Sequence, residues 1–284
     1  MTDDPRLLVS TAWLATRLED EGIRILDASW HMPAARRDPR SEYEARHIPG
    51  AAFFDIDALS DPDSDLPHMA PPADFFAQKL GAMGIGDHHQ VVIYDFAPTR
   101  SAARAWWTFR LMGFTNVAVL DGGLGKWLAE ARPVTHAPVR HPATTVTPRR
   151  DDSILRDRAQ VAAASELRTH EIVDARASAR FHGEAPEPRE GLRSGHMPGA
   201  KNLPFDRLYE EDGTMKSVDK LRALFAQAFV DLSRPQITTC GSGITAASLS
   251  LALERLGHRN HALYDGSWTE WGAYPDSKIA TGDA

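Results

Sequence analysis

Apolar and polar positions fall into two alternating patterns along this chain. Short segments have the length and place of buried strands: Val91–Tyr94, Val117–Leu120 and Ala262–Tyr264, which are apolar throughout, and Glu171–Asp174 and Gln236–Thr239, which carry polar residues as well. Longer segments between them carry apolar residues three and four apart. Arg100–Met112 and Ile244–Leu256 read as helices, the second ended by Gly257. Ser217 is placed to cap a further helix whose apolar face is Val218, Leu221, Leu224, Phe225 and Phe229. Regular alternation of strand and helix predicts an α/β fold, with mostly parallel sheets flanked by helices.

The pattern also occurs twice. Ile25-Leu26-Asp27-Ala28 recurs as Ile172-Val173-Asp174-Ala175, and His47-Ile48-Pro49-Gly50-Ala51 as His196-Met197-Pro198-Gly199-Ala200. Asp121-Gly122 with Trp127 recurs as Asp265-Gly266 with Trp271. The offsets of 147, 149 and 144 are nearly constant, which predicts two homologous domains. The expected boundaries are 1–132 and 151–284. Pro133, Pro138, Pro142 and Pro148 make 133–150 an extended linker.

Composition narrows the function. The 284 residues carry 32 Lys and Arg against 39 Asp and Glu, a net charge of −7, which excludes a generally basic nucleic-acid binder. Cys240 is the one cysteine, so an intramolecular disulfide or a multi-cysteine zinc or iron–sulfur site is impossible. No apolar run approaches the ~18 residues of a membrane helix. Met1-Thr2-Asp3-Asp4-Pro5 lacks a basic and apolar leader, so a cytoplasmic location is expected. His88-His89 and His258 with His261 lack metal-ligand spacing and read as solvated. Asp121-Gly122-Gly123 reads as a turn into a helix, and Trp106-Trp107 as packing residues.

Aligning the halves places Asp95 opposite Cys240, each at the end of a predicted strand. After Cys240 come Gly241, Ser242, Gly243, Ile244 and Thr245, then a helix. Glycines let successive N–H groups curl inward, and the helix N-terminus adds positive potential. A cysteine centred there has its thiolate stabilised, and the thiolate is the reactive form. Cysteine phosphatases need an arginine six positions on, where Ala246 stands. No G-x-S-x-G elbow surrounds Ser242, and no local signature marks a cysteine protease.

These features resemble the tandem-domain sulfurtransferases of the rhodanese superfamily over essentially the whole chain. The resemblance implies a silent first domain, with Asp95 in place of the cysteine, and a catalytic second domain. The uncharged loop from Cys240 to Thr245 is similar to that of the 3-mercaptopyruvate sulfurtransferases, which usually have Val at the position of Ile244. Thiosulfate:cyanide sulfurtransferases carry basic residues after the cysteine, where Gly241 and Ser242 stand. A non-catalytic persulfide carrier is a further alternative. By the resemblance, Cys240 and Ser242 are catalytic, Arg180 and Arg189 bind the substrate carboxylate, and Ser242, His47 and Asp38 form a proton relay. It also implies 3-mercaptopyruvate as donor and a thiol such as thioredoxin or glutathione, or cyanide, as acceptor. No metal, organic cofactor, nucleic acid or membrane is implied.

Overall fold

The computed structural model describes residues 3–283. They form two compact units. The first comprises 3–62, 70–151 and 210–215, and the second 63–69, 152–209 and 216–283.

The first unit contains, in order, β1 (Leu8–Val9), α1 (Thr11–Ala15), β2 (Ile23–Asp27), α2 (Pro39–Ala45), β3 (Ala51–Phe53), α3 (Ala73–Ala82), β4 (Gln90–Tyr94), α4 (Ala102–Leu111), β5 (Val117–Leu120) and α5 (Gly123–Ala129). The second repeats the plan with β6 (Leu155–Arg156), α6 (Arg158–Leu167), β7 (Glu171–Asp174), α7 (Ser178–His182), β8 (Lys201–Asn202), α8 (Val218–Gln227), β9 (Gln236–Thr239), α9 (Ala246–Arg255), β10 (His261–Tyr264) and α10 (Ser267–Trp271). The strand orders are β1-β5-β4-β2-β3 and β6-β10-β9-β7-β8, and the strands of each sheet pair in parallel throughout. In both, the strand that ends at the site is the middle one, and it is buried along nearly its whole length, although β9 is Gln-Ile-Thr-Thr where β4 is mostly apolar.

Local chemistry explains several boundaries. Asp157 and Gln160 form a reciprocal capping box that starts α6. Ser217 accepts the Lys220 N–H and starts α8, as its position predicts. Phe229 departs from the expected apolar face. The helix stops at Gln227, Phe229 adopts φ +56° and stands 81% exposed, and Val230 takes the buried place below it. The helix expected from Ile244 begins at Ala246, because Gly243, at φ +81°, prolongs the curl of the loop. Likewise α4 begins at Ala102, after Arg100 has turned through φ +53°.

Residues 133–150 carry no helix or regular strand. They are fastened to the first unit by Thr135–His47 backbone pairing and by the N–H groups of Thr144, to Gly81 O, and Arg149, to Met112 O. His89 and His261, expected to be solvated, are buried. The Nδ1 of His89 accepts the Gly86 N–H of the turn before it, and His261 faces Glu254 of α9 at 3.4 Å, so protein groups rather than solvent surround these rings. Among the described residues no helix is long and apolar enough to cross a membrane.

Candidate active site

Cys240 leaves β9 at the carboxyl edge of the second sheet, beside the paired residues Thr239 and Asp174. It is buried, at 2% exposure. Its backbone is fixed by the turn into α10. The Cys240 N–H donates to Ser267 Oγ at 3.2 Å, and the Ser267 hydroxyl donates to Tyr264 O at 2.8 Å. The Cys240 carbonyl accepts the Trp268 N–H at 2.9 Å, and the Gly241 carbonyl accepts both the N–H and hydroxyl of Thr269. These contacts turn the loop carbonyls toward α10. Among the described residues no oxygen accepts from the N–H groups of Gly241, Ser242, Gly243, Ile244 or Thr245. Five such donors at the head of α9 make a cradle suited to negative charge. Ser242, predicted beside the cysteine, is buried within it.

Arg180 approaches this loop from α7. Its Nη2 lies 3.2 Å from the point where a Cβ on Gly241 would stand. The guanidinium is bound along one edge by Glu187, whose Oε1 accepts Nε at 3.3 Å and whose Oε2 accepts Nη2. Glu187 Oε1 also accepts Arg176 Nη1 at 2.8 Å. Arg176 is buried, bridged to Asp174 at 2.7 Å and stacked on the Trp268 ring with its guanidinium carbon 4.0 Å from the centroid. Burial disfavours the Arg176 charge, but Asp174 and Glu187 outweigh it and raise the pKa. Arg189, the second expected carboxylate holder, is half buried two residues beyond Glu187.

The relay expected from Asp38 through His47 is not assembled. Asp38 is exposed and caps α2, accepting the Arg40 N–H and the Ser41 hydroxyl. His47 is buried, with Nδ1 2.8 Å from Tyr43 O and Nε2 3.1 Å from Ala137 O. Backbone carbonyls occupy both ring nitrogens, so no carboxylate orients the imidazole. In the second unit His196 has one such contact, with Nδ1 2.9 Å from Phe181 O. Each ring also stacks on its neighbour, His47 on Tyr43 and His196 on Phe181.

That correspondence aligns the two sites residue by residue. Asp95 takes the place of Cys240, and its carbonyl accepts the Leu124 N–H as that of Cys240 accepts the Trp268 N–H. Burial raises the Asp95 pKa, and the Ala102 N–H donates to its carboxylate at 2.8 Å. Ser29 stands where Arg176 is, and matching Tyr43 to Phe181 puts Glu42 where Arg180 is. Sequence reasoning missed Arg176, Glu187 and Ser267. For Arg176 and Ser267 the signal available was the repeat itself, since Ser29 and Gly123 stand at the matching positions of the first copy; Glu187 lies in the longer stretch before His196, which the first copy lacks.

The rhodanese-like domain model matches twice, over residues 10–130 and 157–274. The chain belongs to the rhodanese family. Human 3-mercaptopyruvate sulfurtransferase is 41% identical over 285 residues, covering 98% of this chain and 96% of the relative. Thiosulfate sulfurtransferase of Cricetulus griseus is 42% identical over 286 residues, with the same coverage. Among solved structures, Escherichia coli SseA, described as a 3-mercaptopyruvate sulfotransferase of rhodanese fold, superposes with a TM-score of 0.85 at 39% identity, covering 92% of this chain and 98% of its own.

Proposed function

We propose that this rhodanese is a sulfurtransferase that takes sulfur from 3-mercaptopyruvate onto Cys240 and hands it to a thiol. The observation that carries the proposal is the pairing of an uncharged Cys240 loop with one guanidinium, Arg180, at its rim. A donor with a single carboxylate fits one such clamp. A dianion such as thiosulfate gains more from cations inside the loop, and the side chains from Gly241 to Thr245 supply none. Overall similarity does not separate the donors, because relatives of both names lie at 41–42% identity.

In the proposed reaction Arg180 and Arg189 hold the donor carboxylate. The Cys240 thiolate attacks the donor sulfur, forming the S–S bond. The C–S bond breaks and its electron pair leaves with carbon as the pyruvate enolate, which takes up a proton. Ser242 and the free loop N–H groups stabilise the developing negative charge. The result is a Cys240 persulfide, whose outer sulfur lies in the same cradle. A thiol acceptor such as reduced thioredoxin or glutathione, or cyanide, then attacks that sulfur and regenerates the thiolate. The first domain, up to 132, is silent because Asp95 replaces the nucleophile, and 133–150 links it to the catalytic domain.

Mass spectrometry of the intact protein mixed with 3-mercaptopyruvate, without acceptor, tests the proposal. The expected gain is one sulfur, about 32 Da, on Cys240, and none on Cys240→Ser. A gain from thiosulfate alone makes the thiosulfate reading correct, and no gain from either donor leaves a carrier that a partner must load. The proposed location is the cytoplasm, checked by cell fractionation; an Arabidopsis thaliana relative is named mitochondrial.

A further inference from the structure

We infer that Glu187 is a positioning residue that fixes the guanidinium of Arg180 for the donor carboxylate. The inference rests on the proposed reading of Cys240 and 3-mercaptopyruvate. Glu187 does not touch the donor. Its carboxylate is 1% exposed, and a buried carboxylate persists only when its oxygens are paired. Here they are divided between two arginines: Oε1 takes Arg176 at 2.8 Å and Arg180 Nε at 3.3 Å, while Oε2 takes Arg180 Nη2.

The edge of Arg180 that Glu187 occupies matters. A guanidinium offers a side edge, Nε with Nη2, and an end edge, Nη1 with Nη2. Glu187 takes the side edge. Nη1 has no hydrogen-bond partner among the described residues, so the end edge remains for a second carboxylate in fork geometry. Arg180 is 23% exposed on a short helix, and an unrestrained arginine there samples many rotamers that binding must freeze. Glu187 removes that freedom before the donor arrives.

The anchor of Glu187 is tied back to the nucleophile. Arg176 is held by Asp174 and lies on the Trp268 ring, and the Trp268 N–H holds the Cys240 carbonyl. Arg180 then returns to the loop at Gly241. This closed circuit runs from Cys240 through Trp268, Arg176, Glu187 and Arg180 to the residue after the cysteine. It sets the carboxylate clamp at a constant offset from the sulfur acceptor. Arg176 keeps Asp174 as a counter-charge of its own, so the reach of Glu187 to Arg180 is not needed merely to neutralise Arg176.

The test is steady-state kinetics of wild type, Glu187→Gln, Arg180→Ala and the double variant, with 3-mercaptopyruvate and with its uncharged amide. Glutamine keeps the size but loses the charge-assisted bonds, so KM for 3-mercaptopyruvate should rise roughly tenfold while kcat stays within about threefold. With the amide, Glu187→Gln and wild type should coincide. The double variant should be no worse than Arg180→Ala, since Glu187 acts through Arg180. An unchanged KM, an equal loss with both donors, or additive losses overturns the inference. Should Glu187→Gln not fold, Glu187→Asp keeps the charge but is too short to reach both arginines, and a smaller KM rise is expected. Wild type that forms no persulfide from 3-mercaptopyruvate defeats the functional proposal instead, a result separate from all of these.

Discussion

Ser267 Oγ accepts the backbone N–H of Cys240 at 3.2 Å, and it does so from a left-handed backbone, φ +48°. The equivalent residue of the first unit is Gly123, at φ +56°, where a Cβ would stand 2.4 Å from Asp95 O. Glycine meets that conformation freely, whereas serine bears a cost of about 1–2 kcal/mol. The serine hydroxyl offsets it by satisfying the buried N–H that carries the nucleophile. Ser267→Gly relieves the backbone but orphans that N–H, and Ser267→Ala orphans it and keeps the strain. An unpaired buried donor costs about 1–3 kcal/mol, so denaturant midpoints should fall in the order wild type, Gly, Ala. Alanine more stable than glycine contradicts this account.

Gly241 is the residue that lets Arg180 come close. A methyl group there would sit 3.2 Å from Nη2, closer than ordinary contact, so the guanidinium must give way. It cannot move freely, because Glu187 holds that same Nη2 together with Nε. Gly241→Ala should therefore raise KM for 3-mercaptopyruvate by roughly two- to fivefold, less than outright loss of the Arg180 charge. A KM equal to that of wild type shows that the approach is not used in donor binding.

A cysteine at the end of a central strand should not be enough. In the first unit Glu42 stands at the position of Arg180 and Ser29 at that of Arg176, so the counterpart site lacks the arginine that Arg180 supplies. Glu42 is itself bound by Arg37 and faces His31 at 3.0 Å. Asp95→Cys combined with Cys240→Ser should take up no sulfur from 3-mercaptopyruvate by mass spectrometry. Labelling of the introduced thiol would mean that the loop alone recruits the donor.

Asp27 and Asp174 end corresponding strands but have different neighbours. Arg176 neutralises Asp174. Asp27 has Ser29 instead, and burial pushes its pKa up to about 6 against the hydrogen bonds from Ser29 and Tyr94. The folded state thus holds this proton more tightly than the unfolded chain, whose ordinary value is 3.8. The stabilisation is complete below about pH 4 and is lost as pH rises through about 6, by at most about 3 kcal/mol. Asp27→Asn does not titrate. Its stability relative to wild type should therefore rise between pH 4 and 6 and level off above, as read by denaturation at each pH. A difference that is flat across this range removes Asp27 as the cause.

Much of the fold was legible because its signals are local. Short runs such as Val91–Tyr94 are apolar enough to be buried as central strands wherever they occur, and the duplicated motifs place the more polar Gln236–Thr239 opposite that run as a second copy of one plan. Helix ends were less legible. Phe229 has the spacing of the α8 face yet lies outside it, because the chain turns left-handed there. His47 looked available for chemistry, and only the carbonyls of Tyr43 and Ala137 show it to be occupied.

The sequence by itself determined the α/β class, the repeat, the place of Cys240 and the absence of charge around it. Each follows from residues adjacent in the chain, where spacing and composition act directly. The tertiary structure decided which groups surround the thiol. Ser267 reaches Cys240 across 27 positions, Trp268 carries Arg176 from the end of another strand, and one edge of Arg180 is taken by Glu187. Such contacts depend on sheet register, on backbone angles at single turns and on which oxygen of a buried carboxylate faces which arginine. They arise only when β7, β9 and the turn after β10 are brought side by side.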